Sequence, residues 1–212
     1  MKTQAQINAM LEALKALYPD AICSLDYEKD YELLFSVRLA AQCTDARVNL
    51  VTPALFARFP TLEDFAAATE EEVGEYVRSC GFWRAKARDI VASAKMLLSD
   101  FGGRVPDNMD DLLRLPGVGR KTANLILGDV YGKEGYVCDT HCIRITGRLG
   151  ITDGSKDPLK VERQLRQCIP PEESNNFCHR MVLHGRALCM ARNPQCGNCP
   201  LQALCDYGAA QQ

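Results

Sequence analysis

The sequence predicts an all-α protein. Apolar residues recur at helical spacing along most of the chain, helix-start and helix-stop residues bracket those stretches, and no alternating apolar–polar run of useful length occurs. The opening segment MKTQAQINAMLEALKALYPD reads as an amphipathic helix, not as a signal peptide, because it has no uninterrupted apolar core. Thr69-x-x-Glu72 is a capping box that should open a helix stopping near Gly81. A longer periodic segment runs from Trp83 to Phe101 and should end at Gly102–Gly103. Asp107 is the expected N-cap of a short helix to Arg114, followed by the turn LPGVG and a helix from about Arg120 to Tyr131. Asp157 before Pro158 marks another start, since proline at the first helical position loses no needed N–H. A further helix is expected from Glu172 to about Leu188, and Pro53 should kink or break the helical stretch around it.

A chain of 212 residues, 47% apolar and 25% charged, has the composition of a soluble globular protein with one large domain or two small ones. Its apolar runs are too short to cross a bilayer, so the expected location is the cytoplasm. A net charge of −2 argues mildly against nucleic acid as a partner, but the charge is unevenly spread. Residues 112–150 carry Arg114, Arg120, Lys121, Lys133, Arg144 and Arg148 against Asp129, Glu134 and Asp139, a local net of +3. Arg180, Arg186 and Arg192 follow with no acid between residues 178 and 192. The acids gather elsewhere, at Glu63, Asp64, Glu70, Glu71, Glu72 and Glu75, and read as a solvated helix face. This division is compatible with one phosphate-binding face.

The stretch from Leu115 to His141, LPGVGRKTANLILGDVYGKEGYVCDTH, carries the clearest chemistry. Helix N-termini present unpaired N–H groups and partial positive charge, so a glycine turn feeding a helix start suits a phosphate. That positive end disfavours an ammonium and favours a neutral, nucleophilic amine at Lys121. Asp139 follows eighteen residues later, at the expected N-cap of the next helix. Taken singly, G-V-G is a tight turn, Lys121 a solvated charge and Asp139 a cap. Together they suggest covalent chemistry on a phosphate-bearing substrate.

Eleven cysteines are many for a cytoplasmic protein, and an odd count cannot pair fully. Cys23, Cys43, Cys80, Cys138, Cys142, Cys168 and Cys178 are scattered, and most of them read as small buried hydrophobes. Cys189, Cys196, Cys199 and Cys205 are different: C-x6-C-x2-C-x5-C puts four thiolates within seventeen residues, a thiophilic metal site for zinc or an iron–sulfur cluster. Spacing leaves both metals open.

With both motifs identified, the chain resembles the endonuclease III family of DNA repair glycosylases, in the helix-hairpin-helix superfamily. LPGVGRKTAN is similar to the family's hairpin, VCDTH to its catalytic-aspartate segment, LHGR (Leu183 to Arg186) to its penultimate helix, and the cysteine spacing to its [4Fe–4S] loop. The resemblance implies a central helical domain over residues 24–133, holding the hairpin at about 107–131. Residues 1–23 and 134–212 would form a second domain carrying the cluster in the loop 189–205, with the active site in the cleft between the domains. It implies a monomer acting on duplex DNA that contains damaged pyrimidines or abasic sites. The nucleotide would be extruded from the duplex, the base removed and the strand cut at the abasic site.

In that scheme Gly117, Val118, Gly119 and Arg120 grip phosphates, Lys121 attacks the sugar and Asp139 assists, with Thr140 and His141 lining the site. Gln42 would fill the space left by the extruded nucleotide and Phe82 would wedge into the opposite stack, although ordinary core packing competes for Phe82. The chain departs from the family in three respects: Phe82 is bulkier than the expected leucine, Arg192 is the only basic residue in MARNPQC, and Cys138 and Cys142 stand where aliphatic residues are expected. An adenine- or mismatch-specific glycosylase is the nearest alternative, but it needs a glutamate at Arg38 and no lysine at 121. A non-enzymatic iron–sulfur DNA-binding or redox module would need neither Lys121 nor Asp139.

Overall fold

The computed structural model describes residues 2–210, and no β-strand occurs among them. Helix α1 (Gln4–Leu17) opens on a capping box between Thr3 and Gln6 and buries Ile7, Met10, Leu11 and Leu14 on one face. Then come α2 (Asp30–Ala40), α3 (Asp45–Arg58), α4 (Leu62–Ala67), α5 (Glu70–Val77), α6 (Trp83–Asp100), α7 (Met109–Leu112) and α8 (Arg120–Asp129). The chain ends with α9 (Thr140–Leu149), α10 (Pro158–Cys168), α11 (Ser174–Ala187) and the single turn α12 (Asp206–Ala209). Two compact units result, one of Cys23–Tyr131 and one of Met1–Ile22 with Gly132–Gln212. No helix of the described residues is long and apolar enough to cross a membrane.

Within the α2–α8 unit, burial dictates the packing. Eight of the eleven residues of α2 are buried, from Tyr31 to Leu39, so this helix is wrapped by its neighbours. Phe65 of α4 meets Phe35 of α2 at 5.0 Å and Phe59 at 5.2 Å, centroid to centroid, in tilted and edge-on geometries that suit aromatic rings. The acidic run lies mainly on the outside, with Glu63, Glu70, Glu71, Glu72 and Glu75 exposed, while Glu72 closes the capping box with Thr69 as expected. The α5 segment tightens into a 3-10 turn, Arg78–Cys80, and stops at Gly81, whose φ of +68° and ψ of 155° are accessible to glycine.

Some boundaries differ from the sequence expectation. Helix α3 runs through Pro53 to Arg58; burial of Val48, Thr52 and Leu55 on one face holds it against a proline penalty of about 3 kcal/mol. The cap of α7 is Asn108 and not Asp107: the Asn108 side chain accepts from Asp111 N. The helix is only Met109–Leu112, because starting there brings Leu112 and Leu115 into the core, and the chain then turns before Arg114 can extend it. A 3-10 turn, Pro171–Glu173, precedes α11, so the regular helix begins at Ser174 rather than Glu172. In the second unit Asp157 caps α10 with Pro158 at the first position, as its sequence requires.

Candidate active site and metal loop

The hairpin between α7 and α8 is built from backbone. Leu115 is buried and anchors the turn, and Val118 N donates to Leu115 O at 3.1 Å. Gly117 takes φ +73°, whereas Gly119 has φ −104°, so only the first glycine is required by a left-handed backbone. Gly117 has a second constraint: a Cβ there would lie 2.5 Å from Arg38 Nε and 2.6 Å from Asp89 Oδ2. Those two residues form an ion pair beneath the turn, with Arg38 Nε and Nη2 donating to Asp89 Oδ2 at 2.8 and 2.7 Å. One turn further along α6, Ser93 donates to Pro116 O at 3.1 Å. The hairpin is therefore tied to α6 by the Ser93 hydrogen bond to Pro116, with the Arg38–Asp89 pair packed against Gly117. Gly119 is the N-cap of α8, so no side chain caps that terminus, and a Cβ on it would meet open space. Gly117, Gly119, Arg120 and Lys121 are exposed, and Val118 is half-buried. The result is a helix N-terminus facing solvent with an amine on its second residue.

Two exposed residues of the same unit have unusual backbones. Gln42, just past α2, has φ +55°, and Phe82, leading into α6, has φ +46°. Phe82 is 71% exposed, which excludes core packing as its role. Beside it, Trp83 lies under two guanidinium groups, Arg84 at 4.4 Å and Arg78 at 5.3 Å from the ring centroid. An exposed phenylalanine on a strained turn, next to a tryptophan flanked by cations, is suited to a partner with stacked rings and phosphates.

In the second unit Asp139 is the N-cap of α9, and its Oδ1 accepts from Cys142 N at 2.7 Å. The cap fixes the carboxylate at the helix start, with Thr140 exposed and His141 half-buried beside it. Arg144 connects this segment to the cysteine loop: its Nη2 lies 3.1 Å from His141 Nδ1 and donates to Cys189 O at 2.9 Å. Gly185 of LHGR leaves the room for this approach, since a Cβ there would collide with His141 and Arg144. Cys138, Cys142 and Cys178 are buried together, and the Cys142 thiol is held well above its ordinary range by contact with the other two and by burial. They pack rather than react.

The four C-terminal cysteines border a small cleft shared with Ile145, Arg148, Leu149 and His184. Hydrogen-bond donors are aimed at the sulfurs: Arg148 Nη1 at Cys189 Sγ, 3.3 Å, and Gly208 N at Cys205 Sγ, 3.3 Å. His184 Nε2 lies 3.6 Å from Cys199 Sγ, and its Nδ1 shares a hydrogen bond with Tyr18 Oη at 3.1 Å. Burial, joined by the charges of the neighbouring cysteines, raises the thiols of Cys199 and Cys205. Four thiolates therefore need a cationic centre to coexist. An all-sulfur donor set around one cleft suits a thiophilic metal centre, an iron–sulfur cluster included.

Comparison with known proteins decides the family. Residues 35–171 match the HhH-GPD superfamily of base excision DNA repair proteins, and residues 189–205 match the iron–sulfur binding domain of endonuclease III. The chain is 46% identical to endonuclease III of Synechocystis sp. over 95% of its own length and 92% of that protein's. It is 40% identical to that of Bacillus subtilis, covering 96% and 93%. The chain belongs to the endonuclease III family. It is a DNA glycosylase and abasic-site lyase of base excision repair, and its C-terminal loop is a [4Fe–4S] site. A solved endonuclease III, described as a trapped covalent intermediate with DNA, superposes with a TM-score of 0.94 at 42% identity, covering 100% of this chain and 99% of that one. A thermostable thymine-DNA glycosylase shares the fold alone, with a TM-score of 0.85 at 20% identity, covering 97% and 98%.

Sequence reasoning missed the supports of this endonuclease III site. Arg38 and Asp89 are separated by 51 positions, and nothing local pairs them. Arg148 and His184 reach the cysteine loop from α9 and α11, again without a local signal. Lys86 did leave one: it lies on the buried stripe of α6 with Ile90, Ser93 and Leu97, where a lysine is out of place.

Proposed function

We propose that this member of the endonuclease III family removes oxidised or fragmented pyrimidines from duplex DNA and cuts the strand through a Schiff base on Lys121. The observation that carries the reading is the exposed Lys121 on the second residue of α8, beside backbone amides that no side chain caps. Those amides and Arg120 bind phosphates flanking the lesion, as uncapped helix starts do. The Lys121 amine attacks C1′ of the extruded nucleotide, and the C1′–N bond breaks as the base leaves with its electron pair and takes up a proton. Asp139 receives the proton that the amine loses and stabilises positive charge developing on the sugar. Opening of the sugar ring gives the imine. Loss of a C2′ proton then expels the 3′ phosphate, and water releases the lysine. Thr140 and His141 line the site beside Asp139. Gln42 takes the place of the extruded nucleotide, while Phe82 enters the opposite stack, supported by its exposure and its Arg-flanked neighbour.

The [4Fe–4S] cluster, held by Cys189, Cys196, Cys199 and Cys205, supplies a covalent staple for a loop with little regular structure. The protein is read as a cytoplasmic monomer. Position 38 holds an arginine, paired with Asp89, where the adenine-specific reading needs a glutamate. Borohydride trapping on a duplex with one abasic site tests the lyase chemistry. A covalent adduct is expected from the wild type and none from Lys121→Gln; equal trapping by the two would sink the assignment.

A further inference from the structure

We infer that Lys86 is a positioning residue that couples the loops bearing Gln42 and Phe82 into one probe of the duplex. This rests on the reading of those two residues as DNA-contacting, and it concerns a group that the chemistry above does not use. Lys86 is 1% exposed and ranks among the largest fully buried side chains of the protein. Its Nζ donates to Leu39 O at 2.8 Å and to Cys80 O at 2.7 Å. These carbonyls belong to the last turns of α2 and of the 3-10 segment after α5, where helical ladders run out and partial negative charge collects. Three residues beyond Leu39 stands Gln42; two beyond Cys80 stands Phe82.

Burying an ammonium is costly, and burial lowers the Lys86 pKa from its ordinary value. A methionine of similar length would fill the space without that cost. What lysine adds is a link, one charged group hydrogen-bonded to the ends of two different elements. The link matters because both loops hold non-glycine residues at positive φ, +55° at Gln42 and +46° at Phe82, conformations that persist only where the surroundings fix them. With Lys86 in place neither loop end can shift away from the other without breaking its hydrogen bond to Lys86. Gln42 and Phe82 therefore meet the duplex at a fixed separation.

The test uses the full-length, cluster-loaded enzyme and a duplex with a non-cleavable abasic analogue flanked by 2-aminopurine, whose fluorescence rises when it unstacks. At saturating enzyme the wild type should raise the signal, and Gln42→Ala and Phe82→Ala should each lower it. Lys86→Met should lower it as well, and single-turnover trapping at saturating abasic DNA should slow by up to on the order of a hundredfold. Lys86→Gln, whose amide still donates, should lie between. A role confined to stability would reduce the melting temperature and leave the signal of the bound complex unchanged. Wild-type fluorescence in Lys86→Met, with both loop variants impaired, overturns the inference. Should Lys86→Met fail to fold by circular dichroism, Lys86→Gln decides, and a full wild-type signal from it overturns the inference. If Gln42→Ala and Phe82→Ala both leave the signal intact, the reading of the loops has failed instead.

Discussion

The hairpin and the cysteine loop use opposite means to the same end, a fixed arrangement of polar groups at the surface. The hairpin presents backbone amides, and its geometry comes from a left-handed glycine resting on a part-buried ion pair. The cysteine loop presents side chains and is held from outside, by Arg148 donating to Met190 O at 2.7 Å and Ala191 O at 3.1 Å, and by its own ligands. A backbone-built site can be fully formed without its ligand, because amides need only the turn. A thiolate-built site cannot, because clustered negative charge requires the metal that it binds. The hairpin should therefore tolerate changes in occupancy, and the cysteine loop should not.

The largest effect should come from Cys199→Ala. Binding energy of a structural metal is folding energy, on the order of 10 kcal/mol for structural zinc. The variant should lose its brown colour and iron, and amides of α9, α11 and α12 should lose protection from hydrogen exchange. Amides of α2 to α8 should keep theirs, since those helices form a separate compact unit. Unchanged protection around the cysteine loop in iron-free protein would break the contrast between the two sites.

The same contrast explains what the sequence showed. Both motifs were legible because each is local: LPGVG with Lys121, and four cysteines in seventeen residues. The helices were legible for the same reason, as capping boxes and apolar periodicity act over a few residues. What stayed hidden acts across the chain. The ion pair under Gly117 joins residues 38 and 89, and the side chains that meet the cysteine sulfurs include Arg148 and His184. Asp107 and Asn108 are both good caps, and only the burial of Leu112 and Leu115 selects the second. Pro53 does not break α3, because its local penalty is outweighed by the buried face of the helix. The exposure of Phe82 was equally out of reach, since a phenylalanine near a helix start is as compatible with the core as with the surface.

Next in size is Gly117→Ala. A Cβ at φ +73° is strained, at a cost of roughly 1–3 kcal/mol, and it also meets the Arg38–Asp89 pair. For a chain of this length each kcal/mol lowers the melting temperature by about 2–4 °C. The variant should therefore melt a few degrees lower while retaining its full complement of iron, because the damage lies in the α2–α8 unit. A fall in iron content equal to that of Cys199→Ala would mean that the two sites are not separately built.

Gly119→Ala should have the smallest effect on stability and is the sharpest test of how the hairpin works. Its φ of −104° is open to any residue, and a Cβ there meets nothing within 4 Å. Alanine at this position should shift stability by no more than about 0.5 kcal/mol, as surface substitutions do. Yet the open space is where a phosphate must come if the uncapped amides of α8 bind it. A methyl group there should hold the DNA backbone away from the N–H groups and weaken binding to a non-cleavable abasic duplex, with the melting temperature unchanged. The dependence of affinity on salt should be nearly the same as in the wild type, because no lysine or arginine is lost. Fluorescence anisotropy over a salt series separates the outcomes. Wild-type affinity at every salt concentration would mean that the phosphate does not approach over Gly119, and the amides would then have to be reached from the Arg120 side of the turn.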